Sequence, residues 1–152
     1  MQALSQPTDH GAWRPLSIHP WLGQVDERIF VAAVPHIDTD AQLAAYLDVV
    51  QAFTEAQKSP YAWIAKLGPL LSTTATQRRL FAESEKRRAP YDAKLCAGVA
   101  VVTESPVARG LVTAVTWLSP PAYPKRIVSS FEEGVRFARL QLALPIDPAD
   151  RS

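Results

Sequence analysis

The sequence is poor in the residue types that usually carry catalytic or metal-binding chemistry. It contains one cysteine (Cys96), three histidines and six glycines among 152 residues. A single cysteine excludes an internal disulfide, and the few glycines form neither a Walker loop nor a G-x-G-x-x-G turn for a phosphate. His10, His19 and His36 are nine and seventeen residues apart, and these spacings match no metal site. We therefore predict that the protein is not an enzyme, with no catalytic residue, no metal and no cofactor.

An excess of charge and a long apolar run are also missing. Sixteen basic and fifteen acidic residues leave a net charge of +1, so the molecule as a whole is not drawn to nucleic acid or to anionic membranes. No run of about 20 apolar residues could cross a bilayer, and Asp9 and Arg14 fall where a secretory leader would be apolar. With the lone cysteine, which suits a reducing compartment, these features predict a cytoplasmic protein without membrane insertion.

What the chain does contain is a series of strand-like segments. Four apolar or β-branched runs have the length and composition of buried strands. They occupy residues 28–34, 61–67, 95–102 and 126–128. A further segment at residues 14–21 carries two prolines, which suits a strand at the edge of a sheet, and residues 23–27 predict a turn after it.

Helix-like segments alternate with these strands. We expect Asp38 or Asp40 to cap the first helix, because a carboxylate accepts the free backbone N–H groups there. The second covers about residues 74–89 and ends before Pro90, and the third and fourth begin at Ser105 and Ser130. Apolar residues at helical spacing predict one apolar side on the first helix and one on the third. These positions are Leu43, Leu47, Val50 and Thr54 on the first, and Val107, Leu111, Val115 and Leu118 on the third.

The alternation of strands and helices predicts the fold class. A chain of this length, 47% apolar, suits one globular domain. We expect an α/β domain over residues 14–144, with a mixed four- to five-stranded sheet flanked by about four helices. Residues 1–13 are interpreted as an arm, and residues 145–152 as a tail.

The order of these segments resembles the SpoIIAA-like fold, shared by the STAS domains of anti-sigma-factor antagonists and by STAS/SEC14-type bacterial proteins. The resemblance covers about residues 16–142. It rests on the segments at 28–34, 40–53, 61–67 and 74–88, on Gly98-Val99-Ala100-Val101-Val102, and on Ser130-Phe131-Glu132-Glu133. It implies a non-enzymatic regulatory or protein-interaction module, whose partner is another protein.

The resemblance also points to one segment of the chain. In the anti-sigma antagonists a hydroxyl before the second helix is phosphorylated by a partner kinase, and Ser72, Thr73 and Thr74 occupy about that place here. No glycine follows these hydroxyls, so we carry over the location and not the chemistry. Residue types favour a second interpretation, because Gln77 stands three residues after Thr74 and would complete a helix-capping box with it.

Two arginines stand next to these hydroxyls. Arg78 and Arg79 lie near the start of the second helix, where their side chains could hold an acidic group of a partner. We therefore predict that residues 72–79 form a docking surface for another protein, with phosphorylation as a means of control.

Two alternatives remain open from the sequence. The SEC14-type relatives imply an apolar pocket between a helix and the sheet, and Phe53, Trp63 and Trp117 could line it around a lipid-like ligand. The protein could instead be a structural subunit or a homo-oligomer that uses the N-terminal arm and the last helix as contacts.

Overall fold

Six strands form one mixed sheet, and four helices cover it. The computed structural model describes residues 12–67, 72–118, 120–147 and 151. The strands are β1 (Arg14–Leu16), β2 (His19–Asp26), β3 (Ile29–Val34), β4 (Tyr61–Leu67), β5 (Cys96–Val102) and β6 (Lys125–Val128). The helices are α1 (Asp40–Glu55), α2 (Ala75–Leu95), α3 (Pro106–Leu118) and α4 (Phe131–Leu142). The predicted α/β class is thus confirmed, with six strands in place of four or five.

The strands lie in the sheet in the same order as in the chain. The β1–β2 and β2–β3 pairs are antiparallel, and the pairs from β3 to β6 are parallel. Each parallel connection moves one place in the same direction, and right-handed connections then place α1, α2 and α3 on one face of the sheet. The helix α4 packs against β4 and β5 on the opposite face. All four helices begin at the carboxyl ends of the parallel strands, which form one edge of the sheet.

The core lies on both faces of the sheet. The register pairs Phe30 with Trp63 and Trp63 with Val99, so these side chains share the face that α1 and α2 cover. On the other face, Ile64 of β4 and Ala138 of α4 are buried in one cluster. The predicted core face of α1 is confirmed, since all four of its predicted positions are buried. None of the described helices combines the length and the apolarity that crossing a bilayer needs.

The turn predicted at residues 23–27 lies later, at Glu27 and Arg28, because β2 continues through Gly23 to Asp26. The glycine serves a close contact instead of a turn. A Cβ atom at Gly23 would lie 2.1 Å from Cε3 of Trp13, so only glycine lets that indole ring pack over the strand. Trp13, in the segment interpreted as an arm, is accordingly buried against Val31 and Ala33.

Two helix ends differ from the sequence prediction. Thr39, and not Asp38 or Asp40, caps α1, because its Oγ1 accepts the backbone N–H of Gln42 at 3.1 Å. The second helix continues through Pro90 to Leu95 instead of ending at residue 89. An internal proline costs about 3 kcal/mol. The buried contacts of the turn after Pro90, described below, offset this cost.

The apolar side predicted for α3 forms, but it is exposed. The structure buries Ala108 and Val112, whereas the four predicted positions are exposed. Each buried position follows a predicted one by a single residue, which is a rotation of about 100° around the helix axis. The apolar side of α3, opposite Arg109, Thr113 and Thr116, is broad, and the rest of the protein covers only the part of it that carries Ala108 and Val112.

Candidate functional site

The start of α2 is held by a complete capping box. Oγ1 of Thr74 accepts the backbone N–H of Gln77, and Oε1 of Gln77 accepts the backbone N–H of Thr74, both at 3.1 Å. Such a box satisfies two N–H groups that a helix start would otherwise leave unpaired. The predicted box is confirmed, and the Thr74 hydroxyl is engaged in holding the helix.

The other predicted residues of this segment lie around that helix start. Ser72 and Arg79 are exposed, and Thr73 is half-buried. Nη1 of Arg78 donates to the backbone carbonyl of Thr73 at 2.6 Å, so its side chain lies back along the loop. The structure therefore brings the predicted residues together on one surface. Their docking of a partner stays a prediction.

The most exposed apolar surface of the described chain lies on α3. We call it the α3 face, and it consists of Val107, Leu111, Val115, Trp117 and Leu118. The exposed fractions are 66% for Val107, 83% for Trp117 and 88% for Leu118. Val107, Leu111, Val115 and Leu118 recur at helical spacing and so lie along one side of α3, and Trp117 precedes Leu118. Isolated apolar side chains on a surface are ordinary, whereas several close together are less common on a protein that has no partner.

The three aromatic residues predicted to line a lipid pocket do not meet. Trp63 is buried on β4, and its ring lies 6.1 Å from that of Phe53, which is packed in the core. Trp117 is exposed on α3 and lines no described cavity. Trp63 does border a cavity of about 100 Å³ between α1, α2 and the sheet. That volume lies well below the roughly 300–1,000 Å³ of typical ligand pockets.

A buried polar network borders this cavity at the end of α2. The hydroxyl of Tyr61 donates to Oδ1 of Asp92 at 2.6 Å, and Nη1 of Arg88 lies 4.0 Å from Oδ2 of Asp92. Nε of Arg88 donates to Oγ of the buried Ser84 at 3.3 Å. Arg151, in the segment predicted as a tail, donates to the backbone carbonyl of Cys96 at 2.7 Å beside it. These contacts hold the last turn of α2 against β4 and β5.

Burial controls the protonation of these groups. It raises the pKa of Asp92, and the hydrogen bond from Tyr61 and the charge of Arg88 oppose that rise. Burial also raises the pKa of Tyr61 and of Cys96 far above their usual values. Because the nucleophile of a cysteine enzyme is the thiolate, Cys96 has the properties of a core residue and not of a reactive thiol.

The sequence prediction missed this network. Its one local signal was the spacing of Arg88 and Asp92, which are four residues apart and so share a helix face. The helix was predicted to end before Asp92, and Tyr61 lies 31 residues away, so only the fold could bring the hydroxyl and the carboxylate together.

Neither a cluster of metal ligands among the described residues nor a similar known protein indicates a function for this site. No three histidine, cysteine or carboxylate side chains come together as metal ligands within the part of the chain that the structure describes. Comparison with known proteins finds no matching family model, curated protein or solved structure.

Proposed function

We propose that this protein is a non-enzymatic, cytoplasmic interaction module that binds an apolar segment of another protein, flanked by acidic residues, on the α3 face. The observation that carries the proposal is the exposure of Trp117 and Leu118 next to three more apolar side chains of one helix. Aromatic residues of this kind act as the central anchors of protein interfaces.

The size of the α3 face supports a contact that extends beyond it. Its five side chains expose roughly 400–500 Å² by the usual areas of buried aromatic and aliphatic groups. A standard interface uses about 800 Å² on each partner. The start of α2 adds area at the Val107 end of the α3 face, because β4 and β5 are neighbours and α2 and α3 begin at the same edge of the sheet. Trp117 and Leu118 lie at the other end of α3, about 15 Å along the helix. Residues 72–79 are therefore the second part of the proposed surface.

Charge favours an acidic partner. The only charged residue of α3 is Arg109. On the adjacent α2, five basic side chains are exposed and only two acidic ones. The five are Arg78, Arg79, Lys86, Arg87 and Lys94, and the two are Glu83 and Glu85. Arg87 and Lys94 border a groove on the α1 side of α2, together with Glu55, so the basic charge of the proposed surface is that of Arg78 and Arg79 at a helix start without an acidic residue in its first turn. These two charges attract a partner that carries acidic groups beside its apolar residues.

Phosphorylation would act on the same surface. A phosphate on Ser72 or Thr73 adds about −1.5 to −2 units of charge beside Arg78 and Arg79. It would repel an acidic partner and so weaken the complex. We expect Thr73→Glu to reduce the affinity for the partner and Thr73→Gln to leave it unchanged within about twofold.

The direct test places a photo-crosslinking residue, p-benzoylphenylalanine, at position 117 in the cells that produce the protein. The control places the same residue at position 140, because Leu140 is exposed on α4, on the opposite face of the sheet. We expect position 117 to crosslink to one segment of another protein that has apolar residues at helical spacing and more acidic than basic residues. Position 140 should not crosslink to that segment.

The affinity of a synthetic peptide with the sequence of that segment is then measured for the wild type and the variants. Truncation of an interface anchor costs about 2 kcal/mol, so we expect Trp117→Ala to weaken the peptide roughly 30-fold and Leu140→Ala less than twofold. Affinity should fall with added salt. Crosslinks only between copies of this chain, a segment without an acidic excess, no crosslinked protein at all, or equal binding by Trp117→Ala would each overturn the proposal.

A further inference from the structure

A row of charged side chains on α2 faces the cavity between α1, α2 and the sheet. Glu85, Arg88 and Asp92 all line it, and their spacing of three and four residues places them along one side of the helix. Ala32 and Ala65, which are partners in the parallel register, border the same space from the sheet. Because the cavity is partly open to solvent, an occupant can enter it from outside and extend beyond it.

Arg88 carries donors that no group in the described part of the chain accepts. Its Nε donates to Oγ of Ser84, but Nη1 lies 4.0 Å from Oδ2 of Asp92, which is beyond hydrogen-bond distance. The terminal nitrogens remain accessible from the cavity, although the side chain is only 16% exposed. The fork of a guanidinium group fits the two oxygens of a carboxylate. A carboxylate is therefore the group that this largely buried cation binds best.

The carboxyl groups beside Arg88 determine what else the occupant must carry. Asp92 already accepts the hydroxyl of Tyr61, whereas Glu85 is exposed on the same side of the helix. Two carboxyl groups against one cation leave no excess of positive charge for a simple anion. A ligand that satisfies Arg88 must therefore bring a cation of its own, and the Glu85 carboxylate can accept hydrogen bonds from it.

Most of the remaining lining is apolar. Phe81 of α2 and Val99 of β5 border the cavity, and both are partly accessible. Tyr123, which precedes β6, also lines it, and its accessible hydroxyl has no hydrogen-bond partner within the described residues. An occupant thus meets charged groups on α2 and, elsewhere, apolar surface with one phenolic donor.

We propose that this cavity binds a free α-amino acid with an apolar side chain. The carboxylate of the ligand accepts hydrogen bonds from Arg88 and Tyr123, and its ammonium group donates to Glu85. Its side chain lies against Phe81 and Val99. Such a ligand has no net charge, so it satisfies Arg88 without adding negative charge to the site. The proposal uses no residue of the docking surface and does not depend on the docking function.

L-Leucine, L-valine and L-phenylalanine are the probes. We would follow the Nε–H signal of Arg88 in ¹H–¹⁵N spectra, assigned through its couplings to the backbone, during titration to millimolar concentrations. The signal should move to a saturating value with the amino acid that binds. Two analogues of that amino acid are the controls, one without the ammonium group and one with an amide in place of the carboxylate. Each should bind about tenfold more weakly or worse, because it loses a charged hydrogen bond.

Two exposed glutamates of α2 provide matched variants. Glu85→Gln removes the charge that faces the ammonium group and should weaken the amino acid about tenfold. Glu83→Gln changes a glutamate that does not line the cavity and should leave the affinity unchanged within about twofold, because solvent and salt screen distant exposed charges. Tyr123→Phe removes the phenolic donor and should weaken the amino acid about fivefold.

Several results would each overturn the proposal. They are the absence of a saturable shift of the Arg88 signal with all three amino acids, an equal response to the analogue without an ammonium group, and undiminished binding by Glu85→Gln. Equal weakening by Glu83→Gln and Glu85→Gln would overturn it too, because the response would then report the overall charge of the helix and not a site at Glu85.

Discussion

Replacing Tyr61 by phenylalanine tests the buried network that holds the end of α2. The substitution keeps the aromatic ring in the core and deletes the hydroxyl that donates to Asp92 at 2.6 Å. Asp92 is 4% exposed, so bulk water has little access to its carboxyl group. The remaining partner, Nη1 of Arg88, lies 4.0 Å from Oδ2, which is beyond hydrogen-bond distance.

The expected loss follows from the charge of the acceptor. A hydrogen bond to a charged group contributes about 1.5–3 kcal/mol to stability, against about 0.5–1.5 kcal/mol for a neutral pair. Where Asp92 is ionised we therefore expect Tyr61→Phe to reduce the free energy of unfolding by about 2 kcal/mol. In a domain of this length that corresponds to a fall in melting temperature of roughly 4–8 °C.

The pKa of Asp92 determines how the loss of stability changes with pH. Burial raises the pKa of Asp92, and the Tyr61 hydroxyl opposes that rise, so Tyr61→Phe raises the pKa of Asp92 further. A carboxyl whose folded pKa is raised contributes stability that is fully present below its unfolded pKa of about 4 and is lost as the pH rises through the folded pKa. Because its folded pKa is higher, the variant loses more of this stability than the wild type. The difference between the two proteins should therefore grow from about 1 kcal/mol near pH 4.5 to about 2 kcal/mol near pH 8.

Urea unfolding of both proteins from pH 4.5 to 8, followed by circular dichroism, measures this difference. Tyr91→Phe is the matched control, since Tyr91 lies on the same helix, is exposed and should change the free energy of unfolding by less than about 0.5 kcal/mol. A loss below 0.5 kcal/mol in Tyr61→Phe, or a loss that is equal at both ends of the pH range, would refute the reasoning.

The remaining predictions concern the glycines and the helix cap. Gly23→Ala places a Cβ atom 2.1 Å from Trp13 and should lower the free energy of unfolding by about 2–3 kcal/mol. In Gly110→Ala, within α3, the added Cβ atom has no neighbour within 4 Å, so this change should raise the free energy of unfolding by about 0.5–1 kcal/mol. Equal effects of the two changes in thermal melts would contradict the packing described here. Thr74→Ala should lower the free energy of unfolding by about 1 kcal/mol, and Thr74→Ser by much less. If urea unfolding shows no loss of stability in Thr74→Ala, the capping box does not stabilise α2.

Local patterns were enough to predict most of the elements. The strand Tyr61–Leu67 was readable because it is a short apolar run bounded by breaks, and the core face of α1 because its apolar residues recur at helical spacing. The Thr74–Gln77 capping box was readable because both partners lie within one turn. Hydrogen bonds between near neighbours and the helical period create these patterns, so the sequence alone determined the α/β class and the start of α2.

Tertiary packing decided the features on which function depends. The sequence could not show how much of the apolar side of α3 the rest of the protein covers, and Trp117, which was predicted to line a pocket, is exposed. The cavity needed the register that places Ala32 beside Ala65, and the network needed Tyr61 and Asp92 to meet across 31 residues. Residue order determines what each segment forms, whereas strand register and layer packing determine which side chains it exposes and which it buries together.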